Sequence, residues 1–259
     1  MDIRDFKEEV IYPRCGLTEI FKLQKVLIDH YVSIEGLPQY PIDINTRYSQ
    51  KLIKDFEGRV IEELGEAWES YEIMMDLKDK GLPNASLIPH LQNFNEEVAD
   101  AMHFWAELVI FCGLENNLLN RWLPPSSSDS LSNYLLAGEF TLDFELHKPL
   151  PSYKVIPDDE LVDEFLRGGR KLGTSIKRVL KELLWDTVYH LQISRNTLKN
   201  KPWKQTEMMT DESLFESELM KATISMFQFF YFAGFSKESL YTIYFKKNLV
   251  NQFRIGSKY

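Results

Sequence analysis

The chain has 259 residues, and its apolar and aromatic content is that of a globular protein with a core of ordinary size. The formal net charge of −9 excludes broad binding to nucleic acid, which needs a dense positive surface. It leaves open a polyanionic small substrate, because divalent cations can bridge acidic protein to phosphate.

Helical periodicity dominates from the N-terminus onward. A first helix is expected over about Leu17 to Val32. A second runs from about Asp55 to Leu77, with Val60, Leu64, Ala67, Trp68, Tyr71 and Met75 on one face, and stops at the turn signal Gly81 to Asn84. A third covers about His90 to Phe111 and stops at Gly113. The stretch Pro124 to Ser128 reads as a linker or loop, and residues 149–157 as a second irregular segment. Helices resume near Asp158, with one over Ser175 to about Arg195 and one over Leu214 to Phe232 that ends at Gly234. The last starts near Ser236 and carries a basic, amide-rich end from Tyr244 to Arg254. There is no alternating strand pattern, so the expected fold is an all-α helical bundle in a single domain, residues 1–259. The N-terminus lacks the apolar stretch of a signal peptide, and no run approaches a membrane span. Cys15 and Cys112 fit no metal-ligand spacing and suit a reducing compartment. A cytoplasmic protein without membrane partners is expected.

Two segments recur about 120 residues apart, the sign of an internal repeat. Arg59 to Leu64 resembles Arg178 to Leu183, and Glu97 to Leu114 resembles Glu218 to Phe235, with the closing glycine equally spaced in both. A duplicated hairpin is expected, with a first copy near residues 55–115 and a second near 175–236. Glu62, Glu66 and Asp100 correspond to Lys181, Trp185 and Lys221, so the second copy reads as degenerate scaffold.

The first copy carries two acid pairs at one-turn spacing, Glu63 with Glu66 and Glu97 with Asp100. An antiparallel hairpin would bring them together. At about 100° per residue, Glu97 falls within an apolar arc with Val98, Ala101, Trp105, Leu108 and Phe111. Glu63 borders the apolar face of its own helix, Glu62 and Glu69 point away, and Glu96, Glu107 and His103 project to the polar side of theirs. Four converging carboxylates repel one another unless a hard cation joins them, and an all-oxygen donor set suits Mg²⁺, with Mn²⁺ as the alternative. A carboxylate-bridged diiron site would call for Glu-x-x-His motifs, and the sequence has none. In the tail, Lys247, Asn251 and Arg254 recur at helical spacing and form a polar stripe suited to phosphate and sugar oxygens.

These motifs resemble the dimeric dUTPase-like branch of the all-α nucleoside triphosphate pyrophosphohydrolases, whose relatives include phage dCTPase/dUTPases and MazG-type enzymes. The residues that carry the resemblance are Glu62-Glu63-x-x-Glu66, then Glu97-x-x-Asp100-x-x-His103-Phe104, then Tyr244-x-x-Lys247-Asn248-x-x-Asn251-x-x-Arg254. The resemblance implies a magnesium site at Glu63, Glu66, Glu97 and Asp100. It implies nucleotide contacts from Lys247, Asn251 and Arg254, base readout near Gln24 and Phe104, and a homodimer. The implied reaction is hydrolysis of a pyrimidine deoxynucleoside triphosphate such as dUTP between its α- and β-phosphates. Glu63 would orient or deprotonate the attacking water, and Lys247 and Arg254 would stabilise charge on the departing phosphates. Two positions depart from the pattern. Ile28 stands where the branch has an Asn four residues after its Gln, and Ile255-Gly256 follow Arg254 in place of the usual Gln and Gly-Tyr. A broad, MazG-like activity and a non-catalytic nucleotide-binding or assembly role are the alternative readings.

Overall fold

The computed structural model describes residues 10–121, 176–200, 205 and 208–257. The expected irregular segments at Pro124 to Ser128 and 149–157, and the helical restart near Asp158, lie outside the described residues. The described residues form helices α1 (Gly16–Glu35), α2 (Arg47–Asp79), α3 (Ile88–Phe111), α4 (Glu115–Arg121), α5 (Ile176–Thr197), α6 (Glu212–Phe232) and α7 (Lys237–Gly256). A 3₁₀ turn, Asn84–Ser86, precedes α3, and there is no strand among the described residues. No described helix is long and apolar enough to cross a membrane.

Helix α2 starts two turns earlier than its apolar periodicity suggests. The reason is local: Thr46 is extended and its hydroxyl accepts the Ser49 N–H, so the chain is capped there. At the other end α2 turns back within a few residues and α3 runs antiparallel to it. The register is read from three cross-contacts: Phe56 stacks on Phe111, Glu63 meets Glu97, and Asn93 donates to Ser70.

Helices α5 and α6 form a second closely packed pair. Helices α3 and α6 stop in the same way. Leu114 N–H donates to the Val109 carbonyl and Gly113 N–H to that of Ile110; Phe235 donates to Phe230 and Gly234 to Tyr231. Both glycines have positive φ, 68° and 100°, as this helix stop requires. Gly113 has a second constraint, since a Cβ there would lie 2.9 Å from Pro41.

The buried side chains of both hairpins belong to one apolar cluster. Trp105 of α3 packs edge-on against Phe227 of α6 and donates to Thr223 Oγ1 at 2.9 Å. Helix α3 is the central element: α2, α1 and α7 pack around it, and its buried residues run without a break from Trp105 to Phe111. A helix enclosed along its C-terminal half does not obey a one-face wheel there. Here the sequence expectation needs correction. Glu107 and His103, assigned to a polar face, are both buried, because α1 and α7 dock on that side.

Candidate functional site

The four acids arise from the central stretch of the α2/α3 hairpin. Glu63 is half-buried and Glu66 exposed on α2, while Glu97 and Asp100 are half-buried on α3. The hairpin register brings one carboxylate oxygen each from Glu63, Glu66 and Glu97 within 4.8 Å of one another. Burial raises the Glu63 carboxyl, and the charge of Asp100, a hydrogen bond with Glu97 and the charges of Glu97 and Glu66 add to it, so that it is pushed up to about 8. Burial also raises Glu97; the hydrogen bond from Glu63 opposes this, and the charges of Asp100, Glu66 and Glu96 reinforce it. Both carboxyls are thus held above the usual range by burial and crowding, with a hydrogen bond between them. Such crowding of like charges favours uptake of a proton or, in its place, of a hard divalent cation.

Asp100 is treated differently. Its carboxyl is raised by burial but countered by Lys247, whose Nζ lies 2.7 Å from Asp100 Oδ2 and 2.8 Å from Glu96 Oε1. Lys247 is only 4 % exposed. Burial opposes its charge, yet Asp100 and Glu96 outweigh this and raise it, so the ion pair is formed. Glu96, expected to be a solvated neighbour, is thus part of the cluster's edge.

The tail helix α7 runs antiparallel to α3. His103 stacks on Tyr244 with ring centroids 4.3 Å apart, and one turn further Asp100 meets Lys247. Asn251, half-buried, lies one turn beyond Lys247 on the same side. Arg254 is exposed, and its charge reaches Asp100. Acids and tail stripe therefore share one seam.

Gln24 lies outside this seam. It is fully buried between α1, α3 and α7. Its Nε2 donates to Glu107 Oε1 at 3.0 Å, and its Oε1 accepts the Tyr244 hydroxyl at 2.7 Å. His103 Nδ1 is 2.8 Å from the same oxygen and so carries the ring proton, as hydrogen-bond complementarity assigns it. Burial lowers the His103 imidazole to about 3 against the pull of the Tyr244 carbonyl, which leaves it neutral. The expected direct contact of Gln24 with a base does not match this placement, because its carboxamide is engaged inside the protein. Phe104 remains half-buried, and the Arg59 guanidinium lies over its ring at 5.2 Å. Arg59 was not singled out by the sequence reading, and only the α2/α3 register reveals it.

A carboxylate-lined helical hairpin closed by a basic tail helix defines a class of all-α proteins suited to binding phosphate through a cation. A family model described as dUTPase matches residues 63–259, a span that takes in all four acids and the whole tail stripe but not α1. The chain belongs to this dUTPase family and is a dUTPase-like nucleotide hydrolase. Neither the curated proteins nor the solved structures contain a match to the chain.

Proposed function

We propose that the protein hydrolyses a pyrimidine deoxynucleoside triphosphate, dUTP foremost, to the monophosphate and pyrophosphate in the presence of Mg²⁺. The observation that carries this reading is the convergence of Glu63, Glu66 and Glu97 within 4.8 Å, with Glu63 raised to about 8. Acids left to themselves in a solvated stripe would not be pressed into sharing a proton. The donor set is oxygen only, which fits Mg²⁺ or Mn²⁺. Glu63, Glu66, Glu97 and Asp100 would hold the metal, whose role is to neutralise phosphate charge and make water more acidic.

The protein's own residues do the rest. Water attacks the α-phosphorus as the bridging P–O bond to the β-phosphate breaks, and Glu63 takes the proton of that water. Arg254 and Lys247 stabilise the charge passing to pyrophosphate. Asn251, between them on α7, suits a sugar hydroxyl or a phosphate oxygen. Phe104 offers the ring face for the base. Gln24 acts indirectly, by holding Tyr244 and hence the tail.

The second hairpin is read as a degenerate copy of the first within one domain. In support, Gly113 and Gly234 close their helices with the same pair of hydrogen bonds. Glu218, the counterpart of Glu97, is bonded to His190 Nδ1 and Lys221 Nζ, each at 2.7 Å, so its charge is balanced by side chains instead of a metal. A cytoplasmic homodimer completes the reading.

The test is a panel of deoxy- and ribonucleoside triphosphates with Mg²⁺ and pyrophosphate detection. Preferential release of pyrophosphate from dUTP supports the proposal. Equal turnover of all bases would establish the broad, MazG-like activity, and no release from any would establish a binding or assembly role.

A further inference from the structure

Lys247 is the best-fixed cation near the acidic centre. It is almost fully buried, it contacts Glu96 and Asp100 at 2.8 and 2.7 Å, and it lies one turn beyond Tyr244, which is clamped by Gln24 and stacked on His103. A lysine merely waiting for a phosphate would extend into solvent, since its stem is flexible and its ammonium strongly hydrated. This one is instead desolvated against two carboxylates, and one of them, Asp100, is also a proposed metal ligand.

We infer that Lys247 is the built-in counter-ion of the acidic centre: it competes with the divalent cation for Asp100, retreats to Glu96 when the metal arrives, and becomes available to the triphosphate only then. The inference rests on the metal site proposed above. Its logic is that of linked binding. A cation already on Asp100 Oδ2 repels a second cation approaching the same carboxylate, so the metal alone binds below the site's intrinsic affinity until the lysine moves. Glu96 supplies the second position, without which the full charge of the lysine would stay on Asp100. Metal uptake and phosphate grip are thereby joined through one side chain.

A lysine that only contacts phosphate has no effect on the metal in the absence of nucleotide, and this separates the two roles. The experiment is calorimetric titration of Mn²⁺ into the full-length protein without nucleotide, for the wild type, Lys247→Met and Lys246→Met. The last makes the same change in net charge at the adjacent residue. Lys247→Met should tighten Mn²⁺ about tenfold, which is about 1.4 kcal/mol, while Lys246→Met should stay within about twofold of the wild type because solvent screens a displaced charge. If Lys247→Met loses its helical circular dichroism, Glu96→Gln is compared with Glu62→Gln, an exposed acid of equal charge. Glu96→Gln should then weaken Mn²⁺ severalfold more than Glu62→Gln. Wild-type binding of Mn²⁺ with unchanged or weaker affinity in Lys247→Met, or equal effects of the two glutamate variants, would overturn the counter-ion role and leave the metal site standing. A wild type that takes up no Mn²⁺ would overturn both.

Discussion

Glu97→Gln tests the acidic centre most directly, because it removes one charge while keeping the side-chain shape. In the metal-free protein Glu97 accepts a hydrogen bond from Glu63, and Glu66 also brings an oxygen within 4.8 Å. Two full charges at that separation repel by about 3 kcal/mol at an effective dielectric near 20 and by about 1 kcal/mol in water. These groups are only half-buried, so the lower figure applies once solvent screening is allowed for. The amide of the variant can donate to Glu63, so Glu63 no longer needs its proton. The metal-free variant should therefore melt at the wild-type temperature or about 2–4 °C above it, the shift that about 1 kcal/mol produces in a chain of this size. The pH dependence has a definite sign. Glu63 is raised in the fold to about 8, so its contribution is fully present below the unfolded carboxyl value and is lost as the pH rises through about 8. The melting temperature of the metal-free wild type should fall over that window, and the slope should flatten in the variant. Mg²⁺ should reverse the order. At one hundred times its dissociation constant a ligand stabilises by about 2.7 kcal/mol, a gain that the variant should largely lose, together with about 10² to 10³ in turnover. Thermal melts with and without Mg²⁺ and a pyrophosphate-release assay measure all of this. Near-wild-type turnover, or an equal thermal gain from Mg²⁺, would refute the assignment of Glu97.

Further expectations concern the tail and the junction between hairpins. Arg254→Ala should weaken triphosphate binding by about 1.5–3 kcal/mol, the contribution of hydrogen bonds to charged groups, and leave nucleoside binding unchanged. Arg254→Lys should restore only part of the loss; titration with Ca²⁺ in place of Mg²⁺ reads this, and unchanged affinity in Arg254→Ala would remove Arg254 from the site. Glu57 is fully buried on α2 and is raised to about 8 by burial, against the Ser194 hydroxyl that donates to it and the nearby Arg195 and Lys54. Its Oε2 is buried without a partner, so an ionised carboxylate would leave charge there without a hydrogen bond. Glu57→Gln should thus be close to neutral in melts at pH 6 and, because the wild type loses this contribution through pH 8, more stable than the wild type at pH 9 by at least about 1 kcal/mol, or 2–4 °C; a deficit at both pH values would show that the carboxyl is ionised in the fold. Tyr244→Phe removes the hydroxyl that holds Gln24 Oε1 but keeps the ring on His103, so it should raise the KM for triphosphate about tenfold with a smaller change in kcat; an unaltered KM would disconnect the buried network from the tail.

The helices were legible because each presents an apolar period, and their stops because glycine follows the last buried turn. The four acids were legible for a related reason. Glu97 interrupts an apolar arc, and a carboxylate placed there has either a partner or a purpose. What the sequence hid depends on docking. The start of α2 at Arg47 is set by the Thr46 cap, two turns before the amphipathic pattern becomes regular. Glu107 and His103 look solvated on an isolated wheel, but the C-terminal half of α3 is enclosed by neighbouring helices and those residues meet Gln24 and Tyr244. The only warning was compositional: beyond Asp100 nearly every position of α3 is apolar, too many for a helix with a wet face. Lys247 could be placed on a stripe with Arg254, yet its pairing with Glu96 required the register of α7 on α3.

That register also explains why stability and chemistry can coexist in one hairpin. Clustered carboxylates destabilise a fold in proportion to their burial, and the four acids here are half-buried or exposed. From the acids towards the C-terminus of α3, its contacts change from an ion pair and an aromatic stack with α7 to a buried hydrogen bond with α1: Asp100 with Lys247, His103 with Tyr244, then Glu107 with Gln24. The dry end anchors the tail helix, so the entropy of ordering it is met by packing away from the acids. The wet end can then present charges that would repel one another if they had to carry the packing themselves. In the second hairpin Glu218 is buried and bonded to His190 and Lys221. A buried acid matched by two side-chain donors contributes to structure, whereas Glu63, Glu66 and Glu97 crowd against one another where the hairpin is only partly covered. The two hairpins therefore differ in charge balance: Glu218 is matched by His190 and Lys221, while Glu63 and Glu97 are hydrogen-bonded to each other.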